Sequence, residues 1–123
     1  MTIDSNIVIA FLEGDIKVVE QLSDWKQSGR PLFLSTIAEA EVLGYPGFTS
    51  EERERTANFI AQHFVPVLCD RVIAFRAAIL RGTIRIKLPD ALIAATALST
   101  GTPLVTRNVK DFKHVPRLEI ILL

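Results

Sequence analysis

The chain has 123 residues, of which 49% are hydrophobic and 23% charged, and its formal net charge is zero. This composition excludes an intrinsically disordered chain and fits one domain, residues 1–123, with a real hydrophobic core. No apolar run approaches the roughly 18 residues of a membrane-spanning helix, no signal-peptide pattern is visible, and the single cysteine, Cys69, has no partner for a disulfide, so we expect a cytoplasmic protein with no membrane association.

In the first half of the chain, apolar runs and helix-capping residues predict alternating strands and helices. Ser5 or Asn6 can cap the first helix. Acids that follow Thr49 or Ser50 suit the positive end of a helix dipole and mark another helix start. The predicted elements are, in order, a strand at 1–3, a helix to about Leu12, a helix from about Asp15 to Gln27, a strand at 31–35, a helix from Ser35 or Thr36 to about Leu43, and a helix from Thr49 or Ser50 to about Gln62.

The second half of the chain continues the alternation. The predicted elements are a strand at 64–68, a helix from Asp70 to about Arg81, an extended segment at 84–88, a helix from Pro89 to about Thr100, and strands at 104–106 and 119–122. The strands are uniformly apolar, as expected when helices cover both faces of a sheet. The sequence therefore predicts an α/β fold with a mostly parallel sheet.

Four acids stand beside apolar residues at the ends of these predicted elements. Asp4 follows the first strand, Glu41 lies on the helix after the second strand, Asp90 is in the first turn of its helix, and Asp111 is in the turn after the strand at 104–106. In open α/β sheets, ligands bind beyond the carboxyl ends of the strands. Carboxylates in apolar settings are costly unless they are paired or bound to a cation. Their joint placement predicts a site for Mg²⁺ or Mn²⁺, which prefer oxygen ligands.

Each acid taken alone also has a structural explanation. Asp4 suits a turn at a strand end, and Glu41 suits a solvated helix face. Asp90 suits the first turn of a helix, and Asp111 suits a cap of a local turn. The charge distribution adds a second indication, because residues 1–70 carry a balance of −6 and residues 71–123 a balance of +6. A basic half can bind a polyanion close to a metal held by acids, or the charges simply segregate on a solvated surface.

Four segments of the chain resemble the motifs of a known family. They are 3–9, 35–42, 88–95 and 104–112, and they occur in the family's order along almost the whole chain. They are similar to the motifs of PIN-domain endoribonucleases, particularly the VapC toxins of bacterial toxin–antitoxin pairs. The resemblance implies a three-layer α/β/α PIN-like fold with a central mostly parallel sheet. It also implies an Mg²⁺- or Mn²⁺-dependent endoribonuclease that hydrolyses RNA phosphodiester bonds, as the toxin of such a pair.

The resemblance also implies roles for individual residues and partners. The catalytic and metal-binding acids are Asp4, Glu41, Asp90 and Asp111, and the supporting polar residues are Asn6, Thr106 and Asn108. The expected partners are an RNA substrate, a cognate antitoxin protein and a second copy of the chain in a homodimer. Basic residues near the last two motifs are candidate RNA contacts, whereas His114 is expected to be a surface histidine. These candidates are Arg107 and Lys110, which flank Asn108, and Lys87 and Arg85.

Two other functions remain as alternatives. One is a non-catalytic PIN-like binding module that kept the fold without the reaction. The other is a phosphoryl-accepting receiver-type domain, although such domains carry paired acids after the first strand, where this chain has Ser5 and Asn6. A further prediction is self-association, because one apolar group exceeds what a single small core needs: Phe59, Ile60, Phe64, Val65 and Val67.

Overall fold

The computed structural model of the protein describes all residues, 1–123, and contains five strands and seven helices. In chain order they are β1 (Thr2–Ile3), α1 (Ser5–Leu12), α2 (Ile16–Gln27), β2 (Phe33–Ser35), α3 (Thr36–Leu43), α4 (Ser50–His63), β3 (Val65–Val67), α5 (Arg71–Thr83), α6 (Leu88–Thr100), β4 (Leu104–Thr106), α7 (Val109–Phe112) and β5 (Ile120–Leu122). Every predicted strand and helix is present, and α7 is additional. None of the helices combines the length and the apolar character needed to cross a lipid bilayer.

The strands form one sheet in the order β3-β2-β1-β4-β5, and every neighbouring pair is parallel. The residues of β1 and β4 are all buried, so both faces of the central sheet are covered, as the three-layer arrangement requires. The chain runs outward from β1 in one direction and later in the other, so the strand order reverses between β1 and β4. Ile3 pairs with Leu34 and with Val105. Asp4 and Thr106 therefore meet at the carboxyl edge of this switch point, where such sheets bind ligands.

Side-chain caps fix where several helices begin. Asp15 and Asp70 each accept a hydrogen bond from the backbone of the first turn of the helix that follows. Thr49 and Glu52 form a reciprocal capping box, with N–O distances of 3.1 and 3.0 Å. These caps satisfy amide groups that have no partner within the helix, and they explain why the sequence located these helix starts correctly.

The cap of α1 differs from the prediction. Asp4, rather than Ser5 or Asn6, has the extended backbone of the cap residue, and its Oδ1 accepts a hydrogen bond from the backbone N–H of Ser5 at 2.8 Å. The reason is that β1 ends at Ile3, so the chain passes from strand to helix without a linker. One carboxylate therefore ends β1 and begins α1.

The segment that holds Asp111 also differs from the prediction. It is the one-turn helix α7, not an irregular turn, and the backbone N–H of Asp111 donates to the carbonyl oxygen of Asn108 at 3.0 Å. Phe112, which is 1% exposed, anchors this turn in the core. A four-residue helix is too short to leave a periodic pattern in the sequence.

The main core contains two of the residues that were predicted to support self-association. Ile60 is 2% exposed and Phe64 is 5% exposed, and both belong to the large cluster between helices and sheet. Phe59 packs on Phe11 and on His63, with ring centroids 5.6 and 4.3 Å apart. Ile60, Phe64 and Phe59 therefore stabilise the single chain and give no support to self-association. Val65, in the edge strand β3, is 46% exposed, and the homodimer stays a prediction.

Candidate functional site

Asp4 is the buried centre of the candidate site. Its side chain is 4% exposed, and a buried carboxylate is costly unless hydrogen bonds compensate it. Oδ1 accepts from the backbone N–H of Ser5 at 2.8 Å, and Oδ2 accepts from Asn6 Nδ2 at 3.0 Å and from Thr106 Oγ1 at 2.7 Å. These donors hold the carboxylate in one orientation at the switch point between β1 and β4.

Asn6 and Thr106 tie the loop after β4 to this carboxylate. Asn6 Nδ2 also donates to Thr106 Oγ1 at 3.2 Å, and Asn6 Oδ1 accepts from the backbone N–H of Arg107 at 3.2 Å. Thr106 Oγ1 in turn accepts from the backbone N–H of Asn108 at 3.0 Å. The structure thus joins Asn6 and Thr106 through their side chains, whereas Asn108 takes part through its backbone.

The electrostatics of the acids show that they share one region. Burial raises the pKa of Asp4 above its usual value, and hydrogen bonds from Thr106 and from its neighbours on α1 oppose that rise. Burial also raises the pKa of Glu41, and the charges of Asp4 and Asp90 raise it further. The pKa of Asp90 is raised by burial and by the charges of Asp4 and Asp111, while Lys87 lowers it. Like charges act this way at short range, so Asp4, Glu41 and Asp90 lie near one another, and Asp111 lies near Asp90.

The acids nevertheless do not form a closed cluster. Asp90 and Asp111 line one pocket of about 380 Å³, while Glu41 lines a neighbouring groove of about 580 Å³. No three Asp, Glu, His or Cys side chains are grouped closely enough to hold a metal ion together. The prediction that all four acids converge on one metal site therefore stays a prediction.

The donor set suits one mode of metal binding. The candidate ligands are carboxylate oxygens, which suit hard cations such as Mg²⁺ or Mn²⁺. Mg²⁺ usually keeps several waters and is held by one or two carboxylates together with phosphate oxygens of the substrate. Asp4 with Asp90, or Asp90 with Asp111, can supply such a pair. The residues present therefore fit a hydrated divalent cation better than a fully dehydrated one.

Basic residues surround the two acids of the 380 Å³ pocket. Besides Asp90 and Asp111, the polar residues that line it are all cationic or histidine: Arg81, Arg85, Lys87, Lys110 and His114. Three of the four predicted RNA contacts, Arg85, Lys87 and Lys110, are therefore beside the acids. Arg81 was not predicted, although its spacing of four from Arg85 was visible, and His114 lines the pocket from the surface.

Arg107 occupies a different position from the other predicted cations. Its Nη2 forms an ion pair with Asp15 Oδ2 at 2.8 Å, which is the one salt bridge of the molecule. Its Nε donates to the carbonyl oxygen of Leu123 at 3.4 Å. The side chain is thus held against the start of α2, away from the pocket that holds Lys110.

The groove beside Glu41 is apolar. Its walls come from α1 and from the segment after α3, and its residues are Ile9, Leu12, Glu13, Glu41, Val42, Gly44, Tyr45, Pro46 and Phe48. Ile9 is 43% exposed and Tyr45 is 58% exposed, and Tyr45 stacks edge-on against Phe48 at 5.2 Å. No role for these residues was predicted from the sequence, although Tyr45 between Gly44 and Gly47, followed by Phe48, was a visible signal.

The sheet order rules out one alternative function. Receiver-type domains share the 2-1-3-4-5 order of flavodoxin-like folds, whereas β1 here lies between β2 and β4 in the order 3-2-1-4-5. The residues that follow Asp4 are Ser5 and Asn6, so no second acid stands beside it. The receiver-type interpretation is therefore set aside.

Comparisons with known proteins agree with this geometry. The family described as "PIN domain" matches residues 1–118. A protein named Ribonuclease VapC10 from Mycobacterium tuberculosis is 32% identical over 121 residues, covering 95% of this chain and 89% of its own length. Ribonuclease VapC1 from Rickettsia felis is 29% identical over 131 residues, covering 98% of this chain and 94% of its own.

Solved structures give the same result. A toxin–antitoxin complex from Klebsiella pneumoniae contains a chain that is 30% identical, with a TM-score of 0.79 and coverage of 98% of this chain and 94% of the other. A chain of the VapBC2 complex from Rickettsia felis, bound to a DNA fragment, superposes with a TM-score of 0.85 at 22% identity, covering 99% and 97% of the two chains. The second likeness shows the fold.

Proposed function

The chain belongs to the PIN-domain family, and from this premise we propose that it is an endoribonuclease that hydrolyses RNA phosphodiester bonds as the toxin of a toxin–antitoxin pair. The observation that carries the proposal is the coupling of Asp90 to Asp4 and Asp111 beside a pocket lined by cations. A pocket that combines free carboxylates with arginine and lysine suits a phosphodiester near a metal. The names of the relatives, which include ribonucleases and toxin–antitoxin complexes, support the same activity.

The acids would hold the divalent cation, Mg²⁺ or Mn²⁺, that this chemistry needs. Asp4, Glu41, Asp90 and Asp111 are its proposed ligands. When bound, the cation would offset negative charge on the phosphodiester and lower the pKa of a water molecule. Asp4 serves as the fixed ligand in this proposal, because Asn6 and Thr106 hold its carboxylate.

The chain's other residues act on the substrate. Arg85, Lys87 and Lys110 bind phosphate oxygens in the pocket and stabilise the charge that develops there. We add Arg81 to this set. Arg107 is also a proposed RNA contact, and its ion pair with Asp15 favours a second role in fixing the loop after β4. The RNA substrate and the free thiol of Cys69 both suit a cytoplasmic site of action.

The apolar groove beside Glu41 is the proposed docking site for the antitoxin. An antitoxin segment with apolar side chains fits against Ile9, Leu12 and Tyr45, and a cation on that segment fits Glu13 and Glu41. Occupation of this groove would cover Glu41 and keep RNA from the acids. The homodimer also remains part of the proposal, and sedimentation of the purified chain over a range of concentrations tests it.

One substitution tests the activity. Asp90→Asn removes a charge without changing the shape of the side chain, and Asp90 accepts no hydrogen bond that the change would break. We expect metal-dependent cleavage of a mixed RNA pool to fall by at least about a hundredfold while the unfolding temperature is kept. Asp24→Asn on the exposed side of α2 is the matched control and should cleave like the unchanged chain.

Two outcomes would contradict the proposal. Full cleavage by the Asp90→Asn variant would remove Asp90 from the mechanism. Absence of cleavage by the unchanged chain with Mn²⁺ or Mg²⁺, across varied RNAs and with the antitoxin removed, would instead favour the non-catalytic binding module.

A further inference from the structure

A second cationic pocket lies outside the candidate active site. Its volume is about 480 Å³, and α5, α6 and the segment before β5 form its walls. It shares no residue with the pocket of Asp90 and Asp111. Volumes of about 300–1,000 Å³ are typical of small-molecule sites, so this pocket is large enough for a ligand. Its lining residues are Arg76, Ile79, Leu80, Leu98 and Arg117.

The two arginines are the only charged groups in the wall of this pocket. The one salt bridge of the molecule joins Arg107 to Asp15, so neither Arg76 nor Arg117 is paired with an acid. Like charges in one small pocket repel each other, and an anion bound between them would remove that repulsion. Guanidinium groups match the oxygen atoms of phosphates and carboxylates in a bidentate geometry.

The backbone of Arg117 shows that the turn itself does not require an arginine. Pro116 and Arg117 are the central residues of a tight turn, in which the backbone N–H of Leu118 donates to the carbonyl oxygen of Val115 at 3.4 Å. Arg117 has a φ of 62°, and it is the one residue other than glycine with a positive φ. A turn with proline second and a positive φ third favours glycine at the third position. The steric cost of a side chain there indicates that the guanidinium group serves another purpose.

The rest of the pocket wall is aliphatic. Ile79 is 52% exposed, Leu80 is 7% exposed, and Leu98 is partly buried against the main core. Aliphatic side chains beside two guanidinium groups suit a ligand with an anionic head and an apolar body. Two cations without an acid match two negative charges. A phosphate monoester carries close to two charges at neutral pH, whereas a carboxylate or a phosphodiester carries one.

We propose that this pocket binds a small phosphate monoester with an aliphatic body. Arg76 and Arg117 bind the phosphate oxygens, and Ile79 and Leu98 contact the apolar part of the ligand. No acid lines the pocket, so the phosphate binds without a metal ion. The site is separate from the proposed ribonuclease activity and does not depend on it.

The test compares three anions by calorimetry with chelator present. They are hexyl phosphate, inorganic phosphate and hexyl sulfate, at a pH above the second pKa of a phosphate monoester, about 6. Inorganic phosphate lacks the apolar body, and hexyl sulfate lacks the second charge. We expect hexyl phosphate to bind at one site with a Kd at least about tenfold lower than that of either other anion.

Three variants locate the site. Arg117→Gly and Arg76→Gln should each raise the Kd of hexyl phosphate at least about tenfold, because each removes charged hydrogen bonds. In the absence of ligand, Arg117→Gly should keep or raise the unfolding temperature, because glycine adopts a positive φ without steric cost. Lys110→Gln is the matched control, since it removes a cation from the pocket of Asp90 and Asp111 and should leave the Kd of hexyl phosphate unchanged.

The outcomes separate this pocket from the other cationic pocket and from nonspecific binding. Weaker binding in both arginine variants, with unchanged binding in Lys110→Gln, supports the proposal. Loss of binding in Lys110→Gln alone would overturn it and place the anion beside Asp90. Equal Kd values for the three anions would also overturn it, because they would show attraction of any anion to a basic surface. A lower unfolding temperature for Arg117→Gly would show that the side chain stabilises the chain itself, against the proposed role.

Discussion

Thr106→Val offers a sharp test of how the fold holds Asp4. Valine matches the shape of threonine, so the fully buried site stays filled. The change removes the 2.7 Å hydrogen bond to Asp4 Oδ2 and leaves the backbone N–H of Asn108 without its acceptor at 3.0 Å. A hydrogen bond to a charged group contributes about 1.5–3 kcal/mol, whereas the N–H of the exposed Asn108 can donate to water instead.

These magnitudes set the expected loss of stability. Since Asn6 still donates to Asp4, we expect the free energy of unfolding to fall by about 1.5–3 kcal/mol at neutral pH. With an unfolding entropy near 0.26 kcal/mol/K for a chain of this length, the unfolding temperature should fall by about 6–12 °C. Calorimetry and urea unfolding measure both quantities.

The pH dependence distinguishes this mechanism from a general loss of packing. Thr106 is the main group that opposes the rise in the pKa of Asp4, so its loss raises that pKa further. The lost hydrogen bond stabilises the ionised carboxylate. The stability difference between variant and parent should therefore be largest above the pKa of Asp4 in the folded state and shrink as the pH falls through it. The acid limb of kcat/KM should move to higher pH.

Thr2→Val is the matched control. Thr2 is also fully buried, and its hydroxyl lies 3.0 Å from that of Thr100 and 2.8 Å from that of Thr102. These contacts are at the opposite edge of the sheet and involve no charge. We expect a loss of stability of about 1–2 kcal/mol that does not vary between acid and neutral pH. Identical pH profiles for the two variants would refute the argument that Thr106 acts through the charge of Asp4.

Two further predictions concern stability. Glu41→Gln removes an acid whose pKa is raised by partial burial and by the charges of Asp4 and Asp90, so its charge destabilises the fold above that raised pKa. Because much of the Glu41 side chain is exposed and its charge is screened by solvent, we expect thermal unfolding to show a gain of no more than about 0.5 kcal/mol at neutral pH. The gain should vanish at acid pH, and a loss of stability on substitution would contradict the assigned repulsion. Gly82→Ala should raise the free energy of unfolding by about 0.5–1 kcal/mol, or the unfolding temperature by about 2–4 °C, because nothing lies within 4 Å of the added methyl group. A lower unfolding temperature would show that the end of α5 does not tolerate a side chain there.

The sequence predicted those features that local patterns determine. Short uniformly apolar runs located the strands, and side-chain caps such as Asp15 and Asp70 located the helix starts. The position of Asp4 at a strand end followed from the same patterns. The prediction that the strands form a parallel sheet needed only their alternation with helices, and it is confirmed.

Features that depend on tertiary structure were not predictable in the same way. The buried positions of Ile60 and Phe64 depend on which side of α4 meets the sheet. The contribution of Arg81 to the pocket depends on how α5 packs on α6, which it does through the small side chains of Ala77, Ala91 and Ala95. One sequence carries no information on such packing beyond its periodicity, so these residues became assignable only from the structure.

The hydrogen bonding of the acids explains why they are coupled but not clustered. Asp4 is fixed by donors from Ser5, Asn6 and Thr106, whereas no hydrogen bond restrains the carboxylates of Glu41, Asp90 or Asp111. Four carboxylates held at metal-binding distance would repel one another strongly without a cation. One fixed carboxylate and three free ones avoid that cost, and the free side chains can move toward a cation when it binds. A cation that binds the folded site and not the unfolded chain should stabilise the fold by RT ln(1 + [M]/Kd), which a rise of the unfolding temperature with Mn²⁺ concentration would measure.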